Sequence, residues 1–250
     1  MRVQIINDNN PYSLDRIAAN EKLVALTRKN ADFLQAVVKL DSNYAKDFQV
    51  DNDDSTIKLF KQIQEGKNFA EYISRIITEI DKTNSTHLEA AKNGREVMAK
   101  RVCEKCKNVD ELVAELQKDF DAHNHNHILA ILADKIDARK EGGVRYNLSF
   151  ASKFCSYASE FLQIDKEYSK YDNVVAKALP EYSKIYLGKS ENQGAFLIQQ
   201  YHKGEDELQY RLDVYEKYCN CINAIIDVLK EDNIKISRDE FDHIIWYSSK

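Results

Sequence analysis

Lys153, in the run Ser149-Phe150-Ala151-Ser152-Lys153-Phe154, and Asp172, in Tyr171-Asp172-Asn173-Val174, are the residues best suited by type and place to do chemistry. Lys153 falls near the start of an expected helix, just after the Gly142-Gly143 pair. Asp172 follows nineteen residues later, where another helix should begin. An amine becomes a nucleophile only after losing its proton, which a desolvated pocket promotes by lowering its pKa. A carboxylate at a helix N-terminus is held anionic by the dipole and nearby N–H groups, ready to face a centre of developing positive charge. The competing assignment is structural: a surface lysine and an N-capping aspartate.

Other runs carry chemistry-bearing types with less support. His123-Asn124-His125-Asn126-His127 could place His123 and His127 on one helix face for a metal, but no third ligand of the right type is close in sequence. The run also reads as a linker or helix cap. Cys103-Glu104-Lys105-Cys106 is a single CxxC, and Cys219-Asn220-Cys221 has the wrong spacing to complete a zinc site. No phosphate-binding glycine loop, dinucleotide motif or serine nucleophile elbow is present. The expectation is no cofactor and no metal.

The elements that must position these groups read as helices. Ser13 caps an apolar pattern through Ile17, Leu23, Val24 and Leu26. Asp51–Ser55 reads as a polar break capping a segment that ends at Gly66, and as the best candidate subdomain boundary in an otherwise single domain over 1–250. Phe69, Tyr72, Ile73, Ile76, Ile77 and Ile80 recur at three- and four-residue spacing, an amphipathic helix. Asn84-Ser85 caps a segment running to about Lys105, and Asn108 opens another through Leu112, Val113, Leu116 and Phe120. His127–Lys140 reads as helix, followed by a hairpin-like connection at 141–147 and a helix from about Leu148 to Leu162. Asp172 starts a short helix ending near Pro180. A long helix spans about Asp206 to Glu231, and Ser237 caps the last segment, through Phe241 and Trp246. Strand alternation is confined to Val3-Gln4-Ile5.

Composition agrees. Two prolines and seven glycines in 250 residues leave few helix breakers. Fourteen tyrosines and ten phenylalanines supply core bulk. The expected fold is all-α, a compact multi-helix domain. A net charge of −5 argues against general coating of nucleic acid. Within it, Lys135, Arg139, Lys140, Arg145 and Lys153 oppose only Asp137 and Glu141, a local basic stretch able to face phosphate or simply water. No run approaches the roughly 20 apolar residues of a membrane span, and the N-terminal residues lack an apolar signal core. Five cysteines without framework spacing suit a reducing compartment, so a cytoplasmic location and no membrane partner are expected.

Helix, hairpin, helix bearing Lys153, loop, then helix-starting Asp172 resembles the helix-hairpin-helix DNA glycosylase superfamily over residues 128–180, about a fifth of the chain. The resemblance implies base excision from double-stranded DNA. Lys153 would attack the sugar C1′ with abasic-site lyase activity, Asp172 would stabilise the sugar's developing charge, and Lys135, Arg139, Lys140 and Arg145 would contact phosphates. Ser149-Phe150-Ala151 stands where that family carries Gly-hydrophobic-Gly. Arg238-Asp239-Glu240-Phe241-Asp242-His243 resembles the Arg-polar-xxx-His motif of HEPN all-α ribonucleases, which implies Arg238 as a charge stabiliser and His243 as a proton shuttle. A non-enzymatic helical protein-interaction module is the third expectation.

Overall fold

A computed structural model describes residues 52–84, 86–139, 143–198 and 206–249. The expected helix after Ser13, the Val3–Ile5 strand, Ser85, Lys140 and Gly142 lie outside them. The described chain is mostly helical and belongs to the all-α class. Its helices are α1 (Asn52–Gln64), α2 (Phe69–Thr83), α3 (Gly94–Lys105), α4 (Val109–Gln117), α5 (Ile128–Ala133), α6 (Leu148–Phe161), α7 (Asn173–Leu187), α8 (Glu207–Glu231) and α9 (Arg238–Ser249). A 3-10 turn at Leu88–Ala90 and a two-stranded antiparallel pair, β1 (Ile136–Asp137) and β2 (Val144–Arg145), complete the set.

The chain divides into two compact units. One takes in Asn52–Tyr171 and α8 up to Glu216; the other contains α7, α8 from Lys217, and α9.

In the first unit α2 is the central element. Asn68 caps it by accepting the Glu71 N–H, and Ile73, Ile76, Ile77 and Ile80 are fully buried. Each such side chain contributes about 1.5–3 kcal/mol of transfer free energy. Helices α1, α3 and α6 pack on it. Phe60 of α1 meets Phe154 and Phe161 of α6 with ring centroids 6.5 and 5.7 Å apart.

Three connections depart from expectation. Asn52–Ser55 already belong to α1. Asn84 closes α2 as its C-cap; the next helix begins only at Gly94, after the 3-10 turn. Gly94 starts α3 because its Cα lies against the Leu88 carbonyl, and a Cβ there would meet that oxygen at 2.3 Å.

The helix expected over His127–Lys140 stops at Ala133. Arg101 of α3 donates to the carbonyls of Ile131, Asp134 and Lys135 at 3.1, 3.1 and 2.7 Å. Asn147 Nδ2 also donates to the Asp134 carbonyl, at 3.2 Å. With those acceptors taken by side chains, no further turn is needed to satisfy them. The chain instead extends into β1, which pairs Ile136 with Arg145 and Asp137 with Val144, while Ala138 bridges Ala91.

In the second unit α7 continues through Pro180 to Leu187 and ends on Gly188 at φ +63°. A proline inside a helix removes one hydrogen bond and costs about 3 kcal/mol. Burial of Val175, Ala176, Leu179 and Tyr182 offsets that cost. Tyr182 packs edge-on against Phe241 of α9 with centroids 5.9 Å apart. Helix α9 is closed by a capping box: Ser237 Oγ accepts the Glu240 N–H, and Glu240 accepts the Ser237 N–H.

Candidate functional site

Lys153 sits in the second turn of α6, half-buried, and Tyr157 follows one turn later on the same face. Both reach the end of α2. Lys153 Nζ donates to the Asn84 carbonyl at 3.1 Å, and Tyr157 O–H donates to Asn84 Oδ1 at 2.8 Å. Lys170, only 9% exposed, places its ammonium 4.2 Å from the Tyr157 ring centroid, a cation–π contact. The other side of the region is closed by Phe161, stacked on Tyr157 at 5.6 Å. This gathers two amines, a phenol and a carboxamide in the first unit.

Asp172 opens the second unit as the N-cap of α7, its Oδ1 accepting the Val174 N–H at 2.7 Å. Lys153 and Asp172 each have a structural task where they stand.

The basic stretch is split. Lys135 and Arg139 are exposed, whereas Arg145 is half-buried. Its Nη2 points to the Thr86 carbonyl at 3.4 Å, and its enclosed Nε has no hydrogen-bond partner among the described residues. Arg145 reaches toward the Thr86 connection from its place opposite Ile136 in the β pair. Lys140 lies outside the described residues. The expected hairpin is a β pair, with Phe150 and Ala151 buried in the first turns of α6.

The histidine run is a set of loop ties. His125 Nε2 meets Gln209 Oε1 of α8 at 2.7 Å, His123 is exposed, and His127 caps α5 with its ring. Among the described residues, no three His, Cys, Asp or Glu side chains are grouped to hold a metal ion. Cys103 lies on α3, and Cys106 is its buried C-cap. Burial, then Glu115, pushes the Cys106 thiol up to about 12, and burial raises Cys103 as well. A thiol held protonated is a poor nucleophile and a poor metal ligand. Arg238 begins α9 half-buried; the His243 side chain lies outside the described residues.

Three residues that tie the first unit together have no marker in the sequence. Arg101 draws α3 onto the α5–β1 corner, and Lys170 comes from a loop with no motif. Asp81, buried in α2, accepts from Thr86 Oγ1, Leu88 N–H and Arg95 Nε at 2.6, 2.8 and 2.7 Å. Burial opposes its ionisation, but the bonds from Thr86, Leu88 and Arg95 outweigh it and hold the carboxyl below its ordinary value.

Among the described residues no helix is long and apolar enough to cross a membrane. No protein-family model matches the chain, and no curated protein or solved structure matches it either.

Proposed function

We propose that this chain is a non-enzymatic helical interaction module whose chemistry-bearing side chains serve the fold. The hydrogen bond from Lys153 Nζ to the Asn84 carbonyl carries this reading: the best-placed amine fastens α6 to the end of α2. Asp172 as a cap, His127 inside the core and the protonated thiols fit the same pattern. The surface that fits a partner is the β1–β2 pair. Val144 there is 55% exposed, with Lys135 and Arg139 exposed close by in sequence, a combination suited to an acidic segment with an apolar residue in it. All five cysteines are free, which suits action in a reducing cytoplasm.

A second reading is base excision from double-stranded DNA with lyase chemistry. It is favoured by one observation: α5, the β pair and α6 follow in helix, hairpin, helix order, with half-buried Lys153 beside Tyr157. In that reading Lys153 is the nucleophile, Asp172 the stabilising carboxylate, and Lys135, Arg139, Lys140 and Arg145 the phosphate contacts.

Borohydride trapping on a duplex containing an abasic site, run beside Lys153→Ala, separates the two. The interaction module gives no adduct and no salt-steep DNA binding. An adduct that disappears in the variant would establish Lys153 as a Schiff-base nucleophile with lyase chemistry and end the first reading. A photo-crosslinker at position 144 then tests the proposed contact surface directly.

A further inference from the structure

His127 is enclosed completely, with no exposed surface, at the N-terminus of α5. Its Nδ1 accepts the Leu129 N–H at 3.1 Å, so the proton of the neutral ring sits on Nε2. Nε2 lies 3.3 Å from the Tyr168 hydroxyl, which itself donates to the Leu116 carbonyl of α4 at 2.8 Å. Phe120 packs edge-on against the ring at 5.5 Å, and Tyr215 of α8 backs Phe120 at 5.3 Å. One uncharged imidazole therefore joins the end of α4, the 118–127 loop, the start of α5 and the 162–171 connection, all within the first unit.

We propose that His127 is an acid-released latch: the neutral ring pins these four segments together, and its protonation frees the 118–127 loop and the start of α5. Protonation must occur on Nδ1, because Nε2 already carries a proton. The new N–H would point at the Leu129 N–H, donor against donor, and α5 would lose its cap. The charge would also be shut away from solvent.

The charged surroundings act in the same direction. From α3, Lys105 faces the ring; from α4, Glu115; from the 118–127 loop, Lys118; from the 162–171 connection, Lys166. Glu115 is the carboxylate that could receive a new cation, but it is already held by Lys105 at 3.4 Å and Lys118 at 2.5 Å. Lys166 donates to the Lys118 carbonyl and to Asp119. Burial is the main cause that lowers the ring's pKa to about 4, with Lys166 and Lys105 adding to it and the Lys118 carbonyl and Glu115 opposing.

The unfolded chain takes up this proton near the ordinary histidine value of about 6.5, whereas the latched ring refuses it until about 4. Between those values the opened state binds more protons, so latching weakens as pH falls through the window.

Amide hydrogen exchange across that window tests the latch, comparing wild type with His127→Asn, which keeps a capping acceptor but has no proton to gain. After correction for intrinsic exchange, wild-type protection at Leu129 and Ile131 should fall about tenfold per pH unit from 6.5 toward 4. The variant should show no such slope. Constant protection in the wild type, or an equal slope in the variant, would overturn the proposal. Should the variant fail to fold, ring-nitrogen NMR of the wild type decides. A ring protonated on Nε2 that gains its second proton only as α5 loses protection supports the latch. A ring that titrates near 6.5 while α5 stays protected rules it out.

Discussion

Lys153 Nζ lies 3.1 Å from the carbonyl oxygen of Asn84, the residue that closes α2 sixty-nine positions earlier. The amine thus completes a helix end that the backbone leaves open, in the manner of a lysine at a helix C-terminus. Tyr157 holds the same residue through its carboxamide, so α6 grips α2 at two points one helical turn apart.

Removing this grip should be felt as stability. Lys153→Met keeps the stem but loses the charged hydrogen bond, and a cost of about 1–2 kcal/mol is expected in urea unfolding. Lys153→Arg, which retains a donor, should lose less. A variant as stable as wild type would show that Lys153 has no part in holding α2.

Arg101 satisfies three main-chain carbonyls at the α5–β1 corner. Arg101→Lys keeps the charge but not the planar fork that serves three acceptors together. A loss of about 2 kcal/mol is expected. Faster hydrogen exchange at Ala138, whose N–H reaches Gly143, should accompany it. Unchanged exchange there would place the control of the corner elsewhere.

Gly94→Ala reverses the sign expected from helix propensity. Alanine is the better helix former by about 1 kcal/mol, but the added methyl would press on the Leu88 backbone oxygen at 2.3 Å. Overpacking of this kind costs about 1–3 kcal/mol. Thermal unfolding should therefore shift to lower temperature; an upward shift would mean that the 3-10 turn yields freely.

Acid should weaken the fold in two successive steps. The depressed His127 pKa contributes stability that is complete above about 6.5 and declines as pH falls to about 4, a loss of about 3 kcal/mol. Asp81, whose carboxyl is also depressed, contributes stability present above the ordinary carboxylate range and lost at lower pH, as it takes up a proton in the native state. Urea midpoints measured against pH should show the upper step vanish in His127→Asn and the lower step shrink in Asp81→Asn. If both steps survive both substitutions, other groups are responsible.

The sequence made the local signals plain. The isoleucine spacing of α2, the start of α6 after Asn147, the span of α8 and the Ser237–Glu240 capping box all depend on residues within a few positions of one another. What escaped was set from far away. Ile128, Leu129, Ile131, Leu132 and Ile136 keep a helical rhythm, and Arg101, thirty or more positions upstream, with Asn147 from downstream, ends the helix after Ala133. Pro180 reads as a stop, yet burial of Tyr182 beside Phe241 carries α7 past it. The candidate site shares this limit: Lys153 and Tyr157 are visible as a pair on one helix face, but their common partner Asn84 is not.

Two residues per strand is too short a ladder to persist alone in water. During refolding, β1 and β2 can pair stably only after α3 has docked and Arg101 has claimed the corner. Closing that long-range contact loses chain entropy before any strand bond compensates. The pair is therefore expected to form only after α3 has docked, which a refolding trace following Ala138 protection would show.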